Sequence, residues 1–414
     1  KEEYEEHIKD KYCRAGVCSE LFLSPCQNAC PAGINIPGYI ALLAAGKLRE
    51  AYNLIRQDNP FPAICGRVCT HPCEAQCRRA QVDEPLHIRE LKRYIADNVL
   101  ALEEPYKDIV FPKKNKSIGI IGAGPSGLTC GYYLARLGYD VEVYEAAPVA
   151  GGVLAFGIPE YRLPKDILER EIKAIEQVGV KIHLNTPINS DKDFENLRKK
   201  HDAIYIATGS QYSRRVDIPG EDLGGIYHGL DFLKDVNLGK TVKVGKNVAV
   251  IGGGNTAIDV SRVLLRLGAD EVKIVYRREI EDMPADTQEI REAIEEGVKI
   301  IELSAPVCFT GKGKVKGIRC VKMGLKGYDS TGRPKPYPIE GSEFEIECDS
   351  VIIAVSQSSD LPFIKKEEVE ITKWGTLLTD RDTFMTKIKG VFAGGDVVRG
   401  PDTVISAIAD GKKA

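Results

Sequence analysis

Two glycine-rich turns, Gly122-Ala123-Gly124-Pro125-Ser126-Gly127 and Gly252-Gly253-Gly254-Asn255-Thr256-Ala257, stand 130 residues apart, each closing an apolar run and opening a helical one. Glycines at the first two marked positions permit a sharp turn and let the backbone approach a pyrophosphate, whose charge then meets amides at a helix N-terminus. After the first turn the next apolar strand, Val141 to Tyr144, ends at Glu145, where a carboxylate can bond a ribose diol. That is the pattern for FAD or NAD. After the second turn the strand Val272 to Tyr276 ends in Arg277-Arg278, two guanidinium groups suited to a ribose 2′-phosphate, which favours NADP(H). The third position of the second turn is Ala257, a permitted variant. Ordinary strand-to-helix turns do not repeat strand, helix and ribose-reading position in register, so the chain is expected to bind two dinucleotides. Ala207-Thr208-Gly209 is expected to bring a further turn beneath the first dinucleotide. Gly395-Asp396 follows a buried strand, where its carboxylate could bond a flavin ribitol hydroxyl, and a helix opening near Thr403-Val404 would favour negative charge on a reduced flavin.

Cysteine decides where electrons go next. Of 12 cysteines, eight precede residue 78: Cys13, Cys18, Cys26, Cys30, Cys65, Cys69, Cys73 and Cys77. Disulfides suit small secreted domains, whereas a cofactor-binding cytoplasmic enzyme keeps thiols reduced for metal or catalytic use. Pro31, Gly66 and Pro72 break the run Cys65-x3-Cys69-x3-Cys73-x3-Cys77 into loops, and looped thiolates can surround an iron–sulfur cluster. Zinc is the alternative, although its usual CxxC knuckles are missing. A cluster beside a flavin gives a one-electron exit that zinc cannot give, so iron–sulfur is preferred. His7, Cys13 and Cys18 stay open: part of a zinc site, cluster ligands, or plain surface. Cys130, inside the helix after the first turn, reads as a small buried apolar residue.

These residues need a frame. The 414 residues can bury two or three cores, and 43% hydrophobic with 28% charged residues is ordinary for a globular chain. No apolar stretch reaches the roughly 18 residues of a spanning helix, and the charged first twenty residues are unlike a signal peptide, so no membrane role and a cytoplasmic location are expected. A net charge of −3 offers no basic field for nucleic acid. The start at Lys1 and a helical pattern running to Ala414 suggest a piece of a longer polypeptide.

Residues 1–112 read as short helices and loops, with helical spacing in Ile36 to Leu43 and Leu48 to Ile55; from about Asn115 strand and helix alternate. Asp202 to Gly209 and Asp349 to Ser356 look like one strand repeated, each late in its own unit. The expected class is α/β: an α-helical iron–sulfur domain (1–112), then an FAD domain in two parts (113–240 and 356–414) with a second Rossmann-like NAD(P)H domain (241–355) inserted in it. The incoming link is placed at Lys240 to Lys246 and the outgoing one at Ser356 to Asp360.

Over nearly its whole length the chain resembles the small subunit of NADPH-dependent glutamate synthase, the large subunit of NADH-dependent ferredoxin:NADP oxidoreductase and the N-terminal half of dihydropyrimidine dehydrogenase. The shared residues are Cys26-Gln-Asn-Ala-Cys30-Pro31, Cys65-Gly-Arg-Val-Cys69, Pro72-Cys-Glu-Ala-Gln-Cys77, Gly151-Gly152-Val153-Leu154 through Pro159, Tyr161-Arg-Leu-Pro164, Gly252 through Asp259, Tyr276-Arg-Arg278 and Met283-Pro-Ala285. The resemblance implies FAD, NADP(H) and one or two [4Fe-4S] clusters, with Gly152, Val153 and Leu154 at the flavin and Asp259 at the second nucleotide. It also implies transfer of electrons to or from a partner subunit. No catalytic acid or nucleophile is expected, because the flavin carries the hydride chemistry. Two departures stand out: the family's upstream CxxC is missing, and Lys92 falls where the family often has a glutamate ligand, which makes Cys65 a candidate substitute. The first eighteen residues resemble the tail of the NADH-binding flavoprotein subunit of complex-I-like dehydrogenases and hydrogenases. Two rival readings are a disulfide reductase, which lacks its vicinal dithiol here, and a non-catalytic flavin-containing scaffold.

Overall fold

The structure, a computed structural model, describes residues 23–102, 108–329, 331–365 and 367–414. His7, Cys13, Cys18 and the first-eighteen-residue resemblance lie outside the described residues.

Short helices make up the N-terminal part: Pro25–Asn28, Ile36–Ala44, Leu48–Asp58, Pro62–Val68, Pro72–Ala75 and Ile88–Leu100. Proline opens several of them, since it needs no N–H in the first turn. Their apolar faces do not form a separate core. Ile36, Tyr52, Ile55, Phe61, Ile64 and Ile95 belong to one buried cluster with Ile120, Leu128, Val143, Ile172 and Ile408 of the adjoining dinucleotide domain.

That domain is a five-stranded parallel sheet in the order Val391–Ala393, Ala203–Ile206, Ser117–Ile121, Asp140–Tyr144, Lys181–His183. The chain's late strand thus returns to the first sheet. The second domain repeats the design in the order Ile226–His228, Ser350–Ile353, Asn247–Ile251, Glu271–Val275, Lys299–Ile301. Its edge strand Ile226–His228 and the helix Gly229–Asn237 precede residue 241, which corrects the expected incoming link: Lys240 to Lys246 joins elements inside the second domain. The crossing is instead a two-stranded ribbon, with Tyr212–Ser213 antiparallel to Gln357–Ser358.

The suspected duplication is real in the sheets. Ala203–Ile206 and Ser350–Ile353 each lie parallel to the strand that feeds a glycine turn. An antiparallel layer, Ser304–Lys312, Lys314–Tyr328, Pro334–Pro338 and Phe344–Glu347, interrupts the second domain and was not expected from strand and helix alternation.

Candidate functional site

Both glycine turns sit at the C-terminal edge of their sheets, and their geometry is matched. A Cβ on Gly122 (φ +103°) would lie 2.5 Å from the Ala207 carbonyl oxygen, and one on Gly252 (φ +140°) would lie 2.3 Å from the Ala354 oxygen. Gly127 is equally constrained: its Cβ would meet the Gly122 oxygen at 2.1 Å. The middle glycines differ, since Gly124 and Gly254 both face open space. Each caps a helix, Pro125–Arg136 or Asn255–Arg266, without a side-chain hydrogen bond. First-turn amides with no partner in their own chain form a cradle for a pyrophosphate.

Over the first turn lies an open cleft. Its walls hold Gly122, Gly124, Pro125 and Ser126, the ribose reader Glu145, and Gly152, Val153 and Leu154. The opposite side comes from Ala207, Thr208 and Gly209, with Gly395 and Asp396 after the last strand and Thr403 and Val404 at the last helix. Ala123 and Gly127 stay behind the wall and shape the turn; the Ala123 amide donates to Glu145 at 2.8 Å. The Thr208 hydroxyl oxygen is buried without a partner, as a site awaiting a polar ligand requires. A flavin dinucleotide fits. Burial and the neighbouring Asp402 push the Asp396 carboxyl up to about 7.

Sequence reasoning missed Ile158, Ser210, Gln211, Asp402 and Ala407 in this wall. Gln211 and Asp402 adjoin recognised motifs, and Ala407 lies one helical turn from Val404, so spacing could have found them. It also missed Asp410, buried on the last helix, which accepts from the Gly395 amide at 2.9 Å and from Arg399 Nε at 2.6 Å and so fixes the turn carrying Asp396.

At the second turn Tyr276 packs over Gly253, where a Cβ would come within 2.4 Å of its ring. Asn255 accepts from the Asp286 amide, and Thr256 packs beside Gly229. Ala257 is fully buried. The arginine pair divides. Arg277 is exposed, whereas Arg278 is 3% exposed and donates to Asp329 and to the Pro334 carbonyl, both at 2.6 Å. Arg278 as a phosphate ligand is therefore corrected: the antiparallel layer consumes it, leaving Arg277. Although its side chain reaches solvent, partial desolvation and the Arg278 and Arg333 charges hold Arg277 below the usual arginine range. Asp259 is corrected too. Both its oxygens take Arg162, at 2.9 and 2.8 Å, and burial pushes it up to about 6. Arg162 also pairs with Glu289 at 2.9 Å, so this cluster ties the two dinucleotide domains together.

The cysteines also separate. Cys30, Cys69 and Cys73 line a small void, together with Lys92, Tyr39, Ile88 and Ile405. Cys65 does not line it: one turn earlier on the helix Pro62–Val68, it is fully buried beside Asn59. Cys65 as a ligand is thus corrected, because its thiol is packed inside the helix Pro62–Val68 and is not part of the cavity wall. Burial pushes the thiols of Cys65 and Cys73 up to about 12 and raises Cys30, which keeps them protonated until a metal displaces the proton. Burial opposes the charge of Lys92, yet Cys69, Cys65, Cys30 and Cys73 hold its pKa above the ordinary value. Cys26 and Cys77 are half-buried; Cys26 lies on the helix Pro25–Asn28, which packs against Pro72–Ala75, and Cys77 follows that second helix. Among the described residues no three His, Cys, Asp or Glu side chains converge on a single ion. Three thiols around a shared void suit a larger group, an iron–sulfur cluster, better than zinc. Cys130 is buried, as expected.

Paired dinucleotide cradles beside a thiol-ringed void define a pyridine-nucleotide flavoprotein with an iron–sulfur centre. The family model for pyridine nucleotide-disulphide oxidoreductases matches residues 114–411, and that for dihydropyrimidine dehydrogenase domain II, 4Fe-4S cluster, matches residues 2–104. The chain is 40% identical over 423 residues to the glutamate synthase [NADPH] small chain of Azospirillum brasilense, covering 97% of this chain and 87% of that one. It is 43% identical over 426 residues to the NADP(+)-dependent formate dehydrogenase subunit beta of Moorella thermoacetica, covering 97% of this chain but 60% of that one. With the NADPH-Fe(3+) oxidoreductase subunit beta of Geobacter sulfurreducens it shares 41% identity, over 95% and 63% of the two chains. The chain thus spans about 60% of the length of these two relatives. FprA from Mycobacterium tuberculosis, solved with NADPH, shares the fold at a TM-score of 0.62 and 22% identity, over 73% of this chain and 83% of that one. The chain belongs to the glutamate synthase [NADPH] small-chain family. Among the described residues no helix is long and apolar enough to cross a membrane.

Proposed function

We propose that the chain exchanges electrons between NADP(H) and a partner subunit of a larger complex, with the first cavity holding FAD and the thiol-lined cavity holding a [4Fe-4S] cluster. FAD, when bound, supplies the exchange between hydride and single-electron chemistry. The chain's own residues orient, insulate and connect. The observation carrying this reading is one helix terminus: Thr403 and Val404 wall the flavin cavity, and the next residue, Ile405, walls the thiol cavity. Adjacent residues of one rigid element hold the two voids at a fixed short separation, as electron tunnelling needs.

The outer thiols Cys26 and Cys77, nearer solvent, are the place for a second cluster facing the partner, with Cys18 as a further ligand. His7 and Cys13 remain candidates there, for cluster or for zinc. Arg277 selects NADPH, and the exposed edge of the second turn receives it. The relatives named as subunits of glutamate synthase and of formate dehydrogenase support a role within an assembly. A disulfide reductase is disfavoured because no cysteine lines the flavin cavity.

Mixing the anaerobic holoprotein with NADPH in a stopped-flow spectrometer tests the reading. Rapid bleaching of the flavin, followed by reduced-cluster EPR signals, is expected. A flavin that stays oxidised would make the chain a scaffold.

A further inference from the structure

Lys92 projects from the helix Ile88–Leu100 into the wall of the cavity shared by Cys30, Cys69 and Cys73. It is 5% exposed, and among the described residues no carboxylate or carbonyl takes its ammonium group. The acidic side chains that act on these thiols are bonded elsewhere: Glu74 accepts from the Arg89 amide at 2.8 Å, and Glu171 from the amides of Ala63 and Ile64. The company left to this cation is sulfur. Cys65, the other candidate for a fourth corner, does not line the void.

We propose that Lys92 sets the reduction potential of the inner iron–sulfur site: it places a fixed positive charge where a fourth anionic ligand would otherwise stand, and so makes that centre easier to reduce. The inference rests on the iron–sulfur reading of this cavity. Three thiolates and one ammonium carry a net side-chain charge two units less negative than four thiolates would. One-electron reduction adds a negative charge to the group they enclose, and in a buried, weakly screened site a neighbouring cation favours that added charge. Lys92 touches the group without holding iron, so it tunes the site instead of building it.

The test is EPR-monitored redox titration of the holoprotein and its Lys92→Met, Lys92→Arg and Lys92→Glu variants, with iron and sulfide counted in each. The inner-site signal is identified as the one lost in Cys73→Ser. Lys92→Met is expected to keep its iron and sulfide, while the reduced-to-oxidised ratio of the inner site at a fixed potential falls at least tenfold, about 59 mV for one electron. Lys92→Arg should restore most of that difference, and Lys92→Glu should fall further than Lys92→Met. Should the methionine variant misfold, arginine against glutamate makes the same comparison. Full iron with an unmoved potential would overturn the proposal, and so would parallel iron loss in the methionine and arginine variants, which would make the lysine nitrogen a ligand. Absence of iron from the unaltered protein is a different result, one that removes the iron–sulfur reading itself.

Discussion

Glu171 offers the most quantitative test of how the N-terminal helices are fixed to the flavin domain. It lies on the helix Lys165–Glu176 of that domain, is fully buried, and accepts from the Ala63 amide at 2.7 Å and the Ile64 amide at 2.9 Å. Those amides belong to the first turn of Pro62–Val68, whose own cap position, Phe61, offers no side-chain hydrogen bond. A carboxylate more than a hundred residues away thus caps the helix that ends on Cys69. Burial raises its pKa from 4.5 to about 7, even though the two amides pull it down. A carboxyl group raised on folding gives stability that is full below its unfolded value and is lost as pH rises through its folded value. At about 1.4 kcal/mol per pH unit, the window from 4.5 to 7 amounts to roughly 3 kcal/mol. Glu171→Gln removes that titration and leaves one amide facing an NH₂ group, at a cost of about 1–3 kcal/mol at acidic pH. Thermal melts of the holoprotein and the glutamine variant from pH 4.5 to 8 should therefore converge as pH rises, the variant being clearly weaker only at the acidic end. Curves that run parallel across the window would refute the buried-carboxylate reasoning.

The glycine turns and the arginine pair give sharper functional contrasts. Gly127→Ala forces a Cβ to 2.1 Å from the Gly122 carbonyl oxygen, so flavin should be lost on desalting; Gly252→Ala, whose Cβ meets the Ala354 oxygen at 2.3 Å, should keep its flavin but fail to be reduced by NADPH. Retention of both activities in either variant would mean that the turns are not the cradles. Arg277→Ala should weaken NADPH by roughly ten- to a hundredfold, about 1.5–3 kcal/mol for one charge-assisted contact, with little effect on NADH. Arg278→Ala should instead lower thermal stability, because Asp329 and the Pro334 carbonyl lose their partner. Equal losses of NADH and NADPH affinity in Arg277→Ala would end its role as the phosphate reader.

What could be read in advance was whatever chemistry is local in sequence. A strand, a glycine turn and a helix are contiguous, so Gly122 to Gly127 and Gly252 to Ala257 announced themselves, and Glu145 followed at a distance fixed by one helix and one strand. The failures share a cause: a partner far along the chain. Arg278 looked free until Asp329 and Pro334, 51 and 56 residues away, arrived on an antiparallel hairpin. Asp259 was claimed by Arg162, 97 residues earlier. The strand Ile226–His228 has three residues, too few to show periodicity, and its partner begins only at Ser350. Even spacing misled at the cysteines. Cys65, Cys69 and Cys73 are equally separated, yet Cys65 is inside the helix, Cys69 caps it, His71 turns left-handed (φ +42°) and Pro72 starts a new helix, so equal intervals do not place the three thiols in equal surroundings.

The two interfaces of the flavin domain are built from different materials, and that difference follows what each must do. Toward the thiol cavity the contact is a continuous apolar core in which Ile405 and Ile408 pack with the N-terminal helices, and a deeply buried carboxylate caps one of those helices. Close packing of this kind resists small displacements, and electron transfer gains from a separation that does not vary. Toward the second nucleotide the cores are separate: the buried clusters of the inserted domain contain none of the flavin domain's strands. What joins the two is a two-stranded ribbon, the ionic cluster of Arg162, Asp259 and Glu289, and a small contact of the helix Val153–Phe156 with Gly229–Asn237 that includes an Asn237 hydrogen bond to the Phe156 carbonyl. Polar ties between separate cores can be broken and remade at far smaller cost than a shared core, and domains joined this way move relative to one another by default. A nicotinamide has to arrive, react and leave on every turnover, whereas the electron path beyond the flavin has only to stay in place. The fold gives the mobile reactant the adjustable interface and the electrons the fixed one.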